Sequence, residues 1–314
     1  MGASARTKVK THDFTLPSSV GAYLVSVVSK FCMLHSILGK NTVKLKGKVA
    51  IVTGAGKGIG KAVALAFARE GAHVVVVSRT FLEIKDVAAQ IGMMGRRALP
   101  LRVDVSRRGD VFKMVNSAAA RFGRIDVLVN NAGVLGPVGP LVKNDVDDWI
   151  KTVEVNLIGT FFCCREVLPT MMKQHNGKII NFSGGGATSP RPRFSAYASS
   201  KTAVVRLTET LAEEVKEFNI QVNAIAPGLV DTRMHDQVLA TGEAAGKKAI
   251  EESQRVKATG GTPLKLPVEL AIFLASDASD GLTGKLISAM WDNWKEMDLN
   301  EVSSSDVYTL RRKT

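Results

Sequence analysis

The chain has 314 residues, of which 45% are hydrophobic, enough to bury a substantial core. Its formal net charge is +13, but residues 1–46 alone carry seven basic side chains and one acid. No basic block interleaved with aromatics occurs in the rest, and aromatics make up only 6% of the chain, so nucleic-acid binding is not expected. The three cysteines, two of them adjacent, cannot form a paired disulfide framework and are typical of a reducing compartment.

Residues 1–46 differ in character from the rest of the chain, being rich in Ser, Thr and Lys. Their apolar stretch, 20–38, is interrupted by Lys30, and a lysine in the middle of a membrane span costs roughly 2.5–3.5 kcal/mol. We therefore expect an N-terminal extension that is an extra helix or disordered, in a cytoplasmic protein. The alternative is a weak membrane anchor or an organellar targeting segment, with membrane contact only through 20–38.

From Lys48 onward, short β-branched runs alternate with amphipathic helical patterns. Strands are predicted at 49–53, 73–78, 98–103, 126–130, 178–182 and 221–225. Helices are predicted between the first two strands and at 81–91, 107–122, 145–174 and 197–218. Strands that alternate with helices predict right-handed βαβ units, and so a single α/β domain over 47–290 with a doubly wound parallel sheet. Residues 291–314 are polar and are predicted to be a C-terminal tail.

The first predicted strand runs into a glycine-rich loop that is followed by a helix. Glycines at this point permit a tight turn, close approach of the backbone to a pyrophosphate, and close packing of the helix on the strand. The free N–H groups at the start of the helix attract phosphates. Because the loop stands between a strand and a helix, it predicts a dinucleotide site. Its expected contacts are Gly54, Lys57, Gly58, Ile59 and Gly60.

The end of the second strand bears on which dinucleotide is bound. A carboxylate there would accept hydrogen bonds from the adenosine ribose and repel a 2′-phosphate, but the residues present are Ser78 and Arg79. An arginine is suited to pairing with a phosphate, and Lys57 adds a second positive charge. These residues favour NADP(H), with NAD(H) as the alternative.

Tyr197 and Lys201 stand four residues apart in a helical pattern, so they share one face of the helix. A nearby cation favours the phenolate and moves the phenol pKa towards working pH. Such a tyrosine can give a proton to a carbonyl oxygen or take one from an alcohol. The spacing alone also occurs by chance, as a pair on a helix surface.

Taken together, the motifs resemble the classical short-chain dehydrogenase/reductase family over roughly residues 46–290. The motifs that match it, in chain order, are Thr53-Gly54 with Gly58 and Gly60, Asp104-Val105, Asn130-Asn131-Ala132-Gly133, Asn156, Tyr197 with Lys201, Pro227-Gly228 and Thr232. The resemblance implies a single-domain Rossmann-type fold with helices on both faces of the sheet. It also implies hydride transfer between a nicotinamide and a carbonyl or secondary alcohol.

The resemblance assigns roles to these positions. Tyr197 is the acid/base, and Lys201 holds the nicotinamide ribose and lowers the tyrosine pKa. Asn156 supports a proton-relaying water, although it could instead satisfy backbone groups at a helix irregularity. The further cofactor contacts that the resemblance implies are Asp104 and Val105 at the adenine, Asn131, Ala132 and Gly133 after the fourth strand, and Pro227, Gly228 and Thr232 near the nicotinamide. A homo-oligomer, dimer or tetramer, packed through 145–174 and 197–218 is implied as well.

The sequence departs from the family pattern at the serine that usually holds the substrate oxygen, since that position is Gly184. We expect Ser183, one residue earlier, to fill the role, because the glycines that follow permit the backbone to adjust. A backbone N–H of the glycine run, or reduced activity, are the alternatives. The usual terminal Asp-Gly-Gly is also missing, and Trp291 and Trp294 either close the substrate pocket or cover the sheet edge.

The expected function is NADP(H)-dependent reduction of a ketone, aldehyde or 3-oxoacyl group, with the reverse alcohol oxidation. The alternatives are an NAD-linked sugar or polyol dehydrogenase and a dinucleotide-binding protein with weakened catalysis. Arg191 and Arg193 would suit an anionic substrate or be solvated, and 232–262 has the composition of a mobile lid. The five histidines are scattered, so no metal site is expected.

Overall fold

The buried valine and isoleucine runs form the strands of a seven-stranded parallel sheet in a computed structural model that describes residues 43–312. The strands are β1 (Val49–Thr53), β2 (His73–Ser78), β3 (Ala98–Arg102), β4 (Val127–Asn130), β5 (Gly177–Phe182), β6 (Ile220–Ala226) and β7 (Leu286–Ser288). Their order is β3-β2-β1-β4-β5-β6-β7, so the direction in which the sheet grows reverses between β1 and β4. The predicted doubly wound α/β fold is confirmed.

Ten helices cover this sheet or extend from it within the described residues. They are α1 (Gly58–Arg69), α2 (Phe81–Met93), α3 (Arg108–Phe122), α4 (Val146–Val153), α5 (Gly159–Gln174), α6 (Ser195–Glu214), α7 (Arg233–Thr241), α8 (Lys247–Thr259), α9 (Lys265–Ala275) and α10 (Leu299–Ser304). The predicted helix over 145–174 is divided, because a π-helical turn at Glu154–Ile158 joins α4 to α5. None of the helices in 43–312 has the length and apolar run needed to cross a membrane. The predicted anchor at 20–38 lies outside the described residues.

The sheet is buried on both faces, as the continuous apolar runs of its strands require. Ala50 and Val52 pack on one side, in a core that also contains Phe67 of α1. Ile51 packs on the other side with Met171 of α5, because successive side chains of a strand point to opposite faces. Two apolar layers therefore hold the helices against one central sheet.

The two edges of the sheet are protected in different ways. Edge strand β3 contains Pro100, whose missing N–H cannot pair with a further strand. At the opposite edge, the backbone N–H of Leu286 in β7 donates to the carbonyl of Tyr308 at 2.8 Å. The segment predicted as a tail is thus folded back onto the domain as far as residue 312, and it covers the edge of β7.

The two tryptophans of this segment have different surroundings. Trp294 is only 7% exposed, and its ring centre lies 5.7 Å from that of Phe273 in α9. Trp291 is 81% exposed. Trp294 therefore packs in the core beneath the C-terminal segment. Neither tryptophan lines the large cleft at the carboxyl ends of the strands, so the structure does not support the interpretation in which the pair closes a pocket there.

Exposed apolar side chains lie on the helices that were predicted to form an oligomer interface. Ile150 of α4, Ile158 of the π turn and Phe161 of α5 are 48%, 36% and 42% exposed. An apolar surface of this kind is typical of a protein–protein contact. The oligomeric state stays a prediction.

Replacing Trp294 by alanine should lower the free energy of unfolding by about 3–5 kcal/mol, because a large buried ring is lost from the core. The matched control is Trp291→Ala, which should change it by no more than about 0.5 kcal/mol, since that ring is exposed. Urea denaturation followed by circular dichroism measures both values. Equal effects of the two substitutions would show that the C-terminal segment is not packed on the domain.

Candidate active site

The glycine loop between β1 and α1 is fixed by the strand beside it. The buried hydroxyl of Thr53 donates to the carbonyl of Val129 in β4 and accepts from the backbone N–H groups of Asn131 and Ala132, at 3.0–3.2 Å. The Asn131 amide donates to the carbonyls of Thr53 and Gly54. An added Cβ on Gly54 or Gly60 would overlap this amide, so the two glycines are required for the close approach.

The N-terminus of α1 offers an anion site at this loop. No side chain caps the helix, and the backbone of Lys57 at its start is extended, so the first N–H groups have no side-chain partner. Lys57, Ser78 and Arg79 line the cleft in front of it. These residues fit the phosphates of a dinucleotide in position and charge, and the predicted contact of Arg79 with a phosphate stays a prediction.

A carboxylate that the sequence reasoning missed lies in the same region. Glu83, in the first turn of α2, lies so close to Gly56 that a side chain at position 56 would overlap it, and it lines the cleft. Nη1 of Arg233 in α7 lies 4.0 Å from Oε1 of Glu83. Glu83 stands only five residues after Ser78, so its position soon after the second strand was the one signal available in the sequence.

Asp104 follows β3 and is held in a turn of its own making. Its carboxylate accepts hydrogen bonds from the backbone N–H and the hydroxyl of Ser106, at 3.0 and 2.7 Å. Burial acts to raise the Asp104 pKa, but these hydrogen bonds and the charges of Lys151 and Arg79 outweigh it, so the net pKa is lowered. The ionised carboxylate and the neighbouring Val105 line the cleft, where the family resemblance puts an adenine.

Asn156 lies in the π turn between α4 and α5 and is fully buried. Its side chain accepts from the N–H of Val134 at 2.8 Å and donates to the carbonyl of the same residue at 2.9 Å. The amide also donates to the Ser200 hydroxyl at 3.0 Å, one residue from Lys201. Asn156 therefore satisfies backbone groups at a helix irregularity, which is one of the two roles considered for it. A role in proton relay stays a prediction.

Tyr197 and Lys201 lie one helical turn apart in α6, and both line the same cleft. The ammonium nitrogen of Lys201 donates to the carbonyl of Phe182 at 2.8 Å and lies 5.8 Å from the centre of the tyrosine ring. Burial lowers the pKa of Lys201 to about 8. Burial also raises the pKa of the Tyr197 phenol, and the positive charge of Arg191 works against that rise.

The three glycines after β5 explain the missing serine. An added Cβ on Gly184 would overlap the Tyr197 hydroxyl, so the phenol occupies the space that a side chain at this position would need. The Ser183 hydroxyl is buried and donates to the backbone carbonyl of Lys201 at 3.3 Å. It is thus directed at the backbone of α6, and its predicted contact with the substrate oxygen stays a prediction.

These groups meet in one cleft of about 790 Å³ at the carboxyl ends of the strands. Nearly all predicted site residues line it, the exceptions being Gly60 and Asn156. The lining residues are Gly54, Lys57, Gly58, Ile59, Ser78, Arg79, Asp104, Val105, Asn131, Ala132, Gly133, Ser183, Tyr197, Lys201, Pro227, Gly228 and Thr232. Within 43–312, no group of three or more His, Cys, Asp or Glu side chains is arranged to hold a metal ion.

Comparison with known proteins gives the family. A sequence model of the short chain dehydrogenases matches residues 48–242, more than half of the chain. The chain belongs to the short-chain dehydrogenase/reductase family. It is therefore an oxidoreductase that acts on alcohol or carbonyl groups with NAD(P).

Several relatives match this short-chain dehydrogenase/reductase over nearly their whole length. The short chain dehydrogenase/reductase astE of Aspergillus oryzae is 39% identical over 249 residues, 78% of this chain and 94% of that protein. The 3-oxoacyl-(acyl-carrier-protein) reductase FabG of Thermotoga maritima is 36% identical over 250 residues, 78% of this chain and 96% of that protein. The solved structure of NAD+-bound xylitol dehydrogenase is similar with a TM-score of 0.72 at 30% identity, covering 78% of this chain and 98% of that one.

Gly184→Ala should place a methyl group in the space of the Tyr197 hydroxyl and lower kcat at least about 10-fold, since displacing a reacting group by ~1 Å can cost about 100-fold. The control is Gly92→Ala in α2, where an added Cβ meets nothing within 4 Å. That variant should keep its kcat and gain up to about 1 kcal/mol of stability, because alanine is the better helix former. Steady-state reduction of a carbonyl substrate measures kcat, and a wild-type value for Gly184→Ala would contradict this arrangement.

Proposed function

We propose that this enzyme uses NADPH to reduce a ketone, aldehyde or 3-oxoacyl carbonyl, and oxidises the corresponding alcohol in the reverse direction. The observation that carries the proposal is the cleft that the glycine loop shares with the phenol of Tyr197 and the ammonium of Lys201. The relationship to a 3-oxoacyl reductase supports the substrate class.

In the proposed reaction, Tyr197 donates its phenolic proton to the substrate oxygen as that oxygen gains negative charge. The nicotinamide, when bound, supplies the hydride to the carbonyl carbon. Burial keeps the phenol protonated before the reaction, and the positive charge of Arg191 stabilises the phenolate that forms. The reverse reaction uses the same phenolate to accept the proton of an alcohol.

Lys201 and the residues around the glycine loop would bind the ribose and the phosphates of the cofactor. The lysine ammonium is fixed by the Phe182 carbonyl and keeps further N–H donors for the ribose hydroxyls that the family resemblance assigns to it. With a pKa of about 8 it is protonated at neutral pH, so its charge favours the phenolate. The N-terminus of α1, Lys57 and Arg79 would bind the phosphates.

Tyr197→Phe should lower kcat for carbonyl reduction by about 100-fold or more, because the proton donor is lost. NADPH affinity, measured by fluorescence titration, should change little. Tyr308→Phe, in the C-terminal segment away from the cleft, is the control and should leave both values unchanged. NADPH binding without Tyr197-dependent oxidation of NADPH on any of a panel of ketones, aldehydes and 3-oxoesters would instead favour a binding protein.

The preference for NADP(H) depends on a balance of charges at the end of β2. Arg79 and Lys57 would attract a 2′-phosphate, whereas Glu83 would repel it and could accept hydrogen bonds from the ribose. Glu83, together with the similarity to NAD+-bound xylitol dehydrogenase, supports the second candidate, an NAD-linked polyol dehydrogenase. We favour NADP(H) because two cations oppose one carboxylate, and Arg233 lies close to that carboxylate.

Arg79→Gln should weaken NADPH binding about 10-fold or more, the loss of one charge-assisted contact, and leave NADH binding nearly unchanged. Glu83→Gln should act in the opposite sense, strengthening NADPH binding and weakening NADH binding. Arg69→Gln, at the exposed end of α1, controls for the change in net charge. Equal effects of Arg79→Gln on the two cofactors would contradict the assignment of Arg79 to the 2′-phosphate.

A further inference from the structure

The segment between β5 and α6 carries an arginine that the family motifs do not account for. Arg191 lines the cleft beside Tyr197, and its side chain is only 22% exposed. Its guanidinium carbon lies 4.6 Å from the centre of the buried Phe194 ring, and its Nη2 donates to a carboxylate oxygen of Glu252 in α8 at 3.3 Å. Ring and carboxylate fix the guanidinium, so Arg191 is not the freely solvated loop residue that one interpretation of the sequence expected.

The guanidinium of Arg191 and the phenol of Tyr197 lie against two successive glycines of this run. An added Cβ on Gly184 would overlap the Tyr197 hydroxyl, and one on Gly185 would overlap Nη1 of Arg191. Successive Cα atoms are about 3.8 Å apart, so the two polar groups rest on neighbouring positions of the same backbone. Because Gly184 and Gly185 have no side chain, each leaves room for one hydrogen-bond donor.

One nitrogen of the guanidinium, Nη1, keeps its two donors free among the described residues. Among residues 43–312, the hydrogen bond to Glu252 is the only one that the Arg191 side chain makes, and it uses Nη2. The two N–H groups of Nη1 have no protein partner there. An arginine held by one nitrogen, with the other directed into a reaction cleft, is suited to bind an oxygen that gains negative charge.

Neither of the two positions considered for the family serine offers a free hydroxyl. The position of the family serine is Gly184, and the Ser183 hydroxyl is engaged with the carbonyl of Lys201. The second arginine of the segment, Arg193, donates through Nη1 to the carbonyls of Glu243 and Ala244 and does not line the cleft.

We propose that Arg191 is a catalytic residue, whose Nη1 donates a hydrogen bond to the substrate oxygen that Tyr197 protonates. Glu252 is its positioning residue. The inference rests on the proposed function, and it deepens it by replacing a neutral hydroxyl with a cation at the reacting oxygen. A cation there stabilises the negative charge of the transition state more strongly than a neutral donor, and removing such a donor costs about 100- to 1,000-fold in kcat.

The first test needs neither substrate nor cofactor. Ionisation of Tyr197 is followed by ultraviolet difference titration of the full chain, with Tyr197→Phe as the background. Arg191→Gln should raise the phenol pKa, because a cation beside the phenolate is lost, and Arg191→Lys should raise it less. The other titratable groups on this side of the cleft are Lys201 on the same helix as the phenol, His235 of α7 and Glu252 of α8, and none of them is altered in these variants. Burial lowers the pKa of Lys201 and of His235, so both are neutral at the high pH at which the phenol ionises.

The second test is kinetic and uses NADPH with ethyl acetoacetate or whichever ketone of the panel is turned over. Arg191→Gln should lower kcat about 100-fold with a smaller change in KM, and Arg191→Lys should recover part of the loss. Glu252→Gln should give an intermediate loss, and the double variant should be no worse than Arg191→Gln alone, because Glu252 acts only through Arg191. Arg193→Gln is the matched control and should keep the wild-type kcat and phenol pKa.

The outcomes separate this inference from the proposed function. A kcat within about 3-fold of wild type in Arg191→Gln, with an unchanged phenol titration, overturns the role of Arg191. A loss of kcat in Ser183→Ala that exceeds the loss in Arg191→Gln returns the task to Ser183. If Tyr197→Phe itself keeps full activity, the proposed function fails, whatever the arginine variants do. Should Arg191→Gln unfold, as judged by circular dichroism, Arg191→Lys supplies both measurements.

Discussion

The site depends on the hydrogen bonds that join β1 to β4, where the sheet order reverses. Where the strand order of a parallel sheet reverses, a crevice forms at the carboxyl ends of the strands. The Thr53 hydroxyl lies at this point and makes three hydrogen bonds to backbone groups in and directly after β4. Asn131 then fixes the glycine loop from the opposite side. Because both residues bond to backbone atoms, the position of the phosphate-binding loop follows from the sheet itself.

The chemistry on the other side of the crevice depends on two glycines, which leave the space that side chains would otherwise fill. Gly184 leaves space for the Tyr197 hydroxyl, and Gly185 leaves space for the guanidinium of Arg191. The buried network that holds α6 in place includes Asn181 of β5, whose amide donates to the Thr208 hydroxyl at 2.9 Å. The acid/base helix is thus held by polar contacts to the sheet, while its reactive group packs on bare backbone.

Local patterns in the sequence predicted much of this structure, and tertiary contacts decided the rest. Six strands were predicted to within one residue at each end, since buried β-branched runs bounded by turns are a local feature. The seventh strand has only three residues, 286–288, too few for a periodic pattern. The roles of Trp294, Glu83 and Arg191 were open or missed, because each depends on a partner far away in the chain: α9, the glycine loop and Glu252.

A crystal structure of the complex with NADPH and a ketone tests the central claim most directly. The account predicts that the adenosine 2′-phosphate binds at Arg79 and that the nicotinamide lies between Tyr197 and the segment from Pro227 to Thr232. It also predicts that the ketone oxygen lies within hydrogen-bond distance of both the phenol and Nη1 of Arg191. A nicotinamide bound away from Tyr197, or a ketone oxygen held by Ser183 with Arg191 turned out of the cleft, would contradict it.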